Sequence, residues 1–594
     1  MELERDTKQV EPAHALGWLR VALVAAVLIA YAPLFTADFT VWDDTFNVSE
    51  NPRLNPPTLA SLGYYWSHSA YDIYIPMTYT VWAGIAKIAY VETPDASGSH
   101  LNPYLFHSAN VLLHAASALL VFQILLKLLR DLRSPEDGHT RSVIPSAALG
   151  AFVFALHPVQ VEAVGWVAGL KDVLAGCLSL TALVLYLPRA RGEESEISNL
   201  RFALATLVVT LAMLSKPIAM MTPLIAMAID WLVLKRFRRR VLVWLAPAIG
   251  CAIIARLSQP AAYSQLDVPL FARPFIAGDT IAFYLYKVLL PLKLGLDYGR
   301  APSEVVQRHI VYLTTLVPAA LAILLWIKRR KCPLLLTGAA VFLLAMLPVS
   351  GLVRFDFQLY STVADHYLYL PMLGVTIAAA GLLRRLPRGV VIGCAVVFIP
   401  AMGVKTWLQS TVWKDSTTLF NHALAVNPRS WMSHNNLATE SVREHRPADA
   451  EAHLRAALAI KSELVMYYTN LGEMLREQGK SADAANAYRK QLMFDKSDYT
   501  AWTGLGHVLS DEGDLDGAVD AYTHALEASP EDPIPRINLA SALAEQGKLD
   551  RAIELYQSAL KFNPKSPEAL EGLARATAER DKKLRPTTKP DENR

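Results

Sequence analysis

Leu505-Gly-His-Val-Leu-Ser-Asp-Glu-Gly-Asp-Leu-Asp-Gly-Ala-Val-Asp-Ala-Tyr522 decides the fold of the C-terminal part of the chain. Shifted by 34 residues in either direction, it meets a copy of its own pattern. Leu437, Leu471, Leu505, Leu539 and Leu573 stand 34 apart, and each is followed by a small residue: Ala438, Gly472, Gly506, Ala540 and Ala574. Ala450, Ala484, Ala518 and Ala552 come next in register, then Leu454, Tyr488, Tyr522 and Tyr556, then Leu458, Leu492, Leu526 and Leu560. Small residues let two helices cross closely, and the large one fills the groove between them. The period therefore predicts stacked helix pairs, an α-solenoid.

The register matches the tetratricopeptide repeat (TPR). Full units are expected at 431–464, 465–498, 499–532 and 533–566, with Pro530 and Pro564 closing two of them. A half unit near 413–430 shows in Phe420, Ala423, Leu424 and Pro428. The segment 567–580 reads as a helix capping the last repeat, whose apolar face would otherwise meet water. Residues 581–594 are charged and Pro-containing and read as a disordered tail. The concave face of such an array suits an extended peptide. Asn435, Asn436, Asn470 and Asn538 fall on first helices and could bond a peptide backbone; ordinary surface asparagine is the equal alternative.

Outward from the repeats the composition changes. Over the 594 residues, hydrophobic side chains make up 53% and charged ones 19%, with a mean hydropathy of +0.25. That is too apolar for an ordinary soluble protein, and the excess lies in residues 1–407, with 408–594 reading as soluble. A net charge of +3 gives no nucleic-acid footprint. Cys177, Cys251, Cys332 and Cys394 lie in or beside apolar runs without metal-ligand spacing.

A membrane span needs about 17–25 mostly apolar residues, and a tilted or packed helix can be read a little shorter. Eleven stretches qualify: 16–34, 104–127, 143–157, 167–187, 200–214, 217–234, 241–257, 309–327, 333–350, 366–383 and 389–407. The first reads as a retained span, not a removed leader. A twelfth stretch, 276–293, carries Lys287 and Lys293 and is expected to lie along the outer interface or re-enter from it. Positive charge marks cytoplasmic loops: Lys127, Arg130, Arg133 and Arg141; Arg189, Arg191 and Arg201; Lys235 to Arg240; Lys328 to Lys331; Arg384, Arg385 and Arg388. The N-terminus is then inside, and the repeats emerge in the periplasm or an ER-like lumen. The aromatic-rich Tyr71–Trp82 stretch is expected to form short helices on the outer membrane surface.

That topology gathers ionisable groups on one face. Asp43 and Asp44, after Trp42, sit in the first outer loop. His157 and Glu162 lie in a short outer connection. Lys171 and Asp172 open the next span, Lys216 sits in a Pro-marked turn, Arg256 ends a helix, and Arg354, Asp356, Asp365 and His366 fall in the last outer loop. Interfacial snorkelling explains any one Lys or Arg; convergence of several segments points to a functional site.

The chain resembles the TMTC family of transmembrane and tetratricopeptide-repeat-containing proteins, glycosyltransferases of the GT-C superfamily similar to protein O-mannosyltransferases. The resemblance rests on Val-Trp-Asp43-Asp44 with Asn51-Pro52, Phe106-His107-Ser-Ala-Asn110, Leu156-His157-Pro158-Val-Gln-Val-Glu162, Leu170-Lys171-Asp172, Ser215-Lys216-Pro217, Asp365-His366-Tyr367 and the repeats. His366 departs from the Arg expected there, which would make a cationic role pH-dependent. The repeat array is shorter than in the animal members. The resemblance implies an all-α GT-C-type bundle and a sugar donor carried on polyprenyl or dolichyl phosphate. It implies attack by an acceptor hydroxyl, with Asp43 as base and Asp44 orienting the acceptor or assisting. Lys216, Lys171, Arg354, Arg256 and His366 become candidate phosphate partners, and His157, Glu162, Asp172, Trp42 and His107 candidate pocket residues. A single displacement predicts inversion. A divalent metal at Asp43 and Asp44 is open, with no adjacent third ligand. The repeats favour a protein acceptor or partner; a lipid or cell-wall polymer acceptor, or a membrane scaffold without enzymatic activity, are the alternatives.

Overall fold

The computed structural model describes residues 13–71, 73–94, 98–131, 143–188, 197–258, 268–354, 356–461 and 467–584. Arg133, Arg141, Arg189 and Arg191, and the tail beyond Leu584, lie outside the described residues. The described fold is all helical, with β-pairing limited to isolated bridges. It divides into two compact units, up to Pro428 and from Arg429.

In the N-terminal unit α1 (Ala13–Ala30) leads to α2 (Leu59–Ser67) and α3 (Pro76–Ala89), then to α4 (Pro103–Asp131), α5 (Val143–Leu156), α6 (Val161–Gly165), α7 (Leu170–Tyr186), α8 (Asn199–Ser215), α9 (Thr222–Leu232) and α10 (Leu245–Leu257). There follow α11 (Arg273–Leu289), α12 (Pro302–Gln307), α13 (Val311–Thr314), α14 (Leu316–Ile327), α15 (Pro333–Met346), α16 (Met372–Leu383), α17 (Arg388–Ser410) and α18 (Ser416–Val426). Helix α5 is apolar all round and buried almost throughout, as a central helix must be; α1, α4, α16 and α17 pack on it. Helix α14 is equally apolar, yet only Leu325 is buried. Exposed apolar faces of this kind recur at Ile253 on α10 and Val396 on α17 and suit lipid surroundings.

The eleven apolar stretches fall on helices. Four are long and apolar enough to cross a membrane: Pro103–Arg130, Val167–Tyr186, Arg239–Leu257 and Arg388–Trp413. Val143–Leu156 with Pro158–Gly165, bent by 45°, is a fifth candidate. The others coincide with shorter apolar helices: His14–Ala30, Asn199–Ser215, Pro217–Leu232, Val311–Ile327, Pro333–Val349 and Met372–Leu383. The last begins later than the stretch at 366, because Asp365–Leu368 forms a tight turn instead. Stretch 276–293 folds as α11 and an irregular segment. Lys287 is buried there, donating to the carbonyls of Leu292 and Lys293 at 3.0 and 2.9 Å.

The second unit is a stack of helix pairs: α19 (Trp431–Arg443) with α20 (Pro447–Ile460), α21 (Tyr467–Glu477) with α22 (Ser481–Phe494), α23 (Tyr499–Asp511) with α24 (Leu515–Ala528), and α25 (Pro533–Glu545) with α26 (Leu549–Phe562). Within three pairs the turn is made by Gly479, Gly513 and Gly547, with φ of +72°, +82° and +78°, where glycine carries no side-chain penalty. His445 takes the same role in the first pair with φ +56°. The repeated Ala and Tyr positions form the core: Ala484, Tyr488, Ala518, Tyr522, Ala552 and Tyr556 are buried. Two boundaries differ from the sequence expectation. Helix α18, expected with the repeats, belongs to the N-terminal unit; its Phe420 packs under Trp42 at 6.1 Å. The closing helix α27 (Pro567–Leu584) runs past 580, so 581–584 are helical.

Candidate active site

The loop after α1 separates two acids that the sequence leaves equivalent. Asp44 is fully buried. Its Oδ2 accepts from the Thr40 backbone N–H at 3.0 Å and the Thr40 hydroxyl at 2.8 Å. Its Oδ1 accepts from the Ala168 N–H at 2.8 Å. Burial pushes its carboxyl up to about 6, against the opposing pull of those donors. Asp44 thus pins the loop to the turn before α7. The expected direct role in orienting an acceptor is not available to a carboxylate closed off in this way. Asp43 is turned outward, its side chain 34% exposed, and its Oδ2 meets Lys171 Nζ at 3.3 Å. Both Asp44 oxygens are taken, and the Lys171 ammonium stands against Asp43. These residues therefore do not fit a shared divalent metal, and among the described residues no cluster of three His, Cys, Asp or Glu could hold one.

Aromatic side chains brace this loop. Tyr79 on α3 donates to Asn47 Oδ1 at 2.7 Å, and Tyr65 on α2 donates to Asn51 Oδ1 at 3.1 Å. The two rings stack at 3.9 Å.

From Asp43 a chain of contacts runs inward. Lys171 Nζ lies over the Trp166 ring at 4.6 Å, and that ring stands 5.6 Å from the ring of His366. His366 Nδ1 is 2.6 Å from Glu162 Oε1, while Glu162 Oε2 accepts from the Asp365 N–H at 3.0 Å. On the other side Lys216 Nζ donates to Asp172 Oδ1 at 2.5 Å and lies 5.4 Å over the Tyr367 ring. Burial lowers the Lys216 pKa, and the Asp172 charge opposes the shift. Asp172, Gly176, Ile218, His366, Tyr367 and Tyr369 help line a small cleft. Asp365 Oδ2 accepts from Tyr298 at 2.7 Å; burial pushes this carboxyl up to about 7. Several buried polar atoms here lack a hydrogen-bond partner: Asp172 Oδ2, Asp365 Oδ1, Trp166 Nε1 and both side-chain polar atoms of Gln160. Orphaned atoms of this kind mark a place built for a polar ligand or water.

Asp43, Lys171, Asp172, Lys216, Glu162 and His366 are thus brought together. Other expected residues are not. His157 is spent on structure, accepting from the Val159 N–H at 3.4 Å and reaching the Val288 carbonyl at 2.9 Å. His107 is buried against the Asp38 carbonyl at 3.2 Å. Trp42 stacks on Phe420. Arg256 is exposed at the end of α10. Arg354 lies near Arg273. In the repeats, Asn436 donates back to the Met432 carbonyl at 2.9 Å, Asn538 bonds His507, Asn435 is half-buried and Asn470 is exposed. Trp166 and Tyr298 were missed by the sequence reading, since an aromatic residue in an apolar context carries no signal of its own.

Two models of the tetratricopeptide repeat match residues 469–533 and 509–576. A protein O-mannosyl-transferase of Caenorhabditis elegans is 24% identical over 439 residues, covering 70% of this chain and 59% of that protein. Protein O-mannosyl-transferase TMTC4 of Homo sapiens is 23% identical over 507 residues, covering 73% and 66%. This chain is homologous to the TMTC proteins. The matches extend through most of the N-terminal unit and leave a third or more of those relatives' length unmatched. Among solved structures, YrrB, described as a TPR protein with an unusual peptide-binding site, is 20% identical with a TM-score of 0.25, covering 28% of this chain and 85% of that one.

Proposed function

We propose that the chain is a membrane glycosyltransferase that moves a mannose-like hexose from a polyprenyl-phosphate donor to a hydroxyl, on Ser or Thr of a protein engaged by the repeats. The apolar helices cross the bilayer eleven times, with the N-terminus cytoplasmic and the Asp43 face and repeats outside. The observation that carries the assignment is the division of labour between the two acids: Asp44 is buried and saturated, and Asp43 is presented to the surface against Lys171.

In the transfer, the acceptor oxygen bonds to the anomeric carbon as the bond from that carbon to the phosphate oxygen breaks. The hydroxyl proton passes to the Asp43 carboxylate, and the lipid phosphate leaves with the electron pair. Lys171 and Lys216 supply positive charge where the leaving phosphate gathers negative charge. An arriving phosphate competes for Lys171 and frees Asp43 to act as base. A single displacement inverts the anomeric centre. The homology to proteins named O-mannosyl-transferases supports this chemistry. The test is purified full-length protein with polyprenyl-phosphate mannose and peptide acceptors, wild type against Asp43→Asn. Transfer by the wild type and not by the folded variant supports the assignment; normal transfer by the variant removes Asp43 as base. Transfer to lipid or polymer acceptors alone would replace the protein acceptor.

A further inference from the structure

Arg273, the first residue of α11, is 3% exposed. Its Nη1 donates to the Gly351 carbonyl at 3.2 Å and to Gln358 Oε1 at 2.8 Å. Gly351 turns that carbonyl inward with φ +99°, and a Cβ there would stand 2.8 Å from Ile276 Cγ2. Nε and Nη2 have no hydrogen-bond partner. Those two atoms form the edge of the guanidinium whose parallel N–H groups fit two oxygens of one oxyanion. Among the described residues no carboxylate pairs with Arg273, and the charge that acts on it is another cation, Arg354. A buried guanidinium without a counter-charge is costly to keep, so its unpartnered edge fits a ligand that brings negative charge. The start of a helix adds positive potential at the same place. The segments that form this cradle carry exposed apolar side chains: Leu270 and Phe271 precede Arg273, and Leu352 and Val353 follow Gly351.

We propose that Arg273 receives the phosphate of a membrane amphiphile, its unpartnered guanidinium edge taking two phosphate oxygens while Leu270, Phe271, Leu352 and Val353 meet the hydrocarbon tail. The phosphate could belong to a polyprenyl phosphate or to a phospholipid headgroup. The inference needs the membrane setting and does not depend on transfer chemistry, since a chain without transferase activity would still bind.

The experiment is lipid binding to the detergent-purified full-length chain, by native mass spectrometry and by thermal shift, with undecaprenyl phosphate, phosphatidylglycerol and inorganic phosphate in parallel. The wild type is expected to bind a lipid phosphate and gain thermal stability from it. Arg273→Gln should bind about tenfold more weakly or worse, as loss of charged hydrogen bonds implies, and should be no less stable than the wild type without lipid. Arg273→Lys keeps the charge without the fork and should fall between, so a Gln variant that failed to fold would leave the test intact. Binding of undecaprenyl phosphate alone assigns the site to donor-type lipids, and binding of both lipids assigns it to the phosphate head. Equal binding of inorganic phosphate, unchanged lipid binding in the variants, or no binding by the wild type would overturn the proposal.

Discussion

The two units bury different things. In the repeats burial follows the period: Ala518, Tyr522, Ala552 and Tyr556 fill one core, and most charges sit outside, as in the exposed Arg575–Glu571 pair. In the N-terminal unit the apolar pattern is interrupted by buried ionisable groups: Asp44, Glu162, Asp172, Lys216, Arg273, Lys287, Asp365 and His366. Some of these are paired, others only half satisfied. A periodic core reports how the chain folds. A broken one reports where a ligand is expected, because a buried charge survives only if something offsets its desolvation. The contrast can be broken most directly at Asp43. Asp43→Asn should lower transfer by about 10²–10⁴-fold, the range of a lost general base, with the melting temperature unchanged because the side chain is partly exposed. A large loss of stability would place Asp43 with the structural charges.

Next in size is the Lys216–Asp172 pair. Lys216→Met strands a buried carboxylate and should cost about 3–5 kcal/mol in denaturant unfolding. The double variant Lys216→Met with Asp172→Asn should recover most of that stability without recovering transfer. Recovery of both would make the pair a fold element only.

The repeat unit should respond otherwise. Tyr522→Ala empties the groove against Gly506, whose Cβ, if present, would stand 2.5 Å from the Tyr522 ring. The expected cost is about 3–5 kcal/mol. In a repeat array each unit contacts only its neighbours, so limited proteolysis should show the loss within the repeats while donor hydrolysis is retained. Loss of hydrolysis with Tyr522→Ala would mean that the repeats complete the catalytic unit.

How much of this was legible in the sequence follows the same division. The repeats were readable to within a few residues because identical contacts recur every 34 positions; the end at Leu584 and the allegiance of α18 escaped, since a last helix and a half unit have no second copy to compare. The helices of the N-terminal unit were readable as apolar runs. The difference between Asp43 and Asp44 was not, because it is set by Thr40 and by Ala168, 124 residues away. Arg273 carried no signal in the sequence, because its burial is set by Gly351 and Gln358, 78 and 85 residues away. Lys287 made 276–293 doubtful for a sound reason: burying it takes two backbone carbonyls that only the folded chain supplies.

The smallest effect expected is also the one that tests whether Asp44 belongs to the fold. Its carboxyl sits at about 6 in the folded chain against about 3.9 when unfolded. Between those values the folded state holds a proton that the unfolded state has released, so stability falls as pH rises. The sign is therefore opposite to that of an exposed, salt-bridged aspartate. The contribution is full below about pH 4, is lost by about pH 6, and amounts to about 3 kcal/mol. Unfolding monitored from pH 4 to 7 should show this slope in the wild type and lack it in Asp44→Asn, which cannot titrate. At pH 4 the variant, which faces the Thr40 and Ala168 donors with one acceptor, should be less stable than the protonated wild type by about 1–3 kcal/mol, and toward pH 7 that gap should close. If the two proteins share one pH profile, Asp44 is not closed off as the structure has it, and the separation between a working Asp43 and a structural Asp44 fails with it.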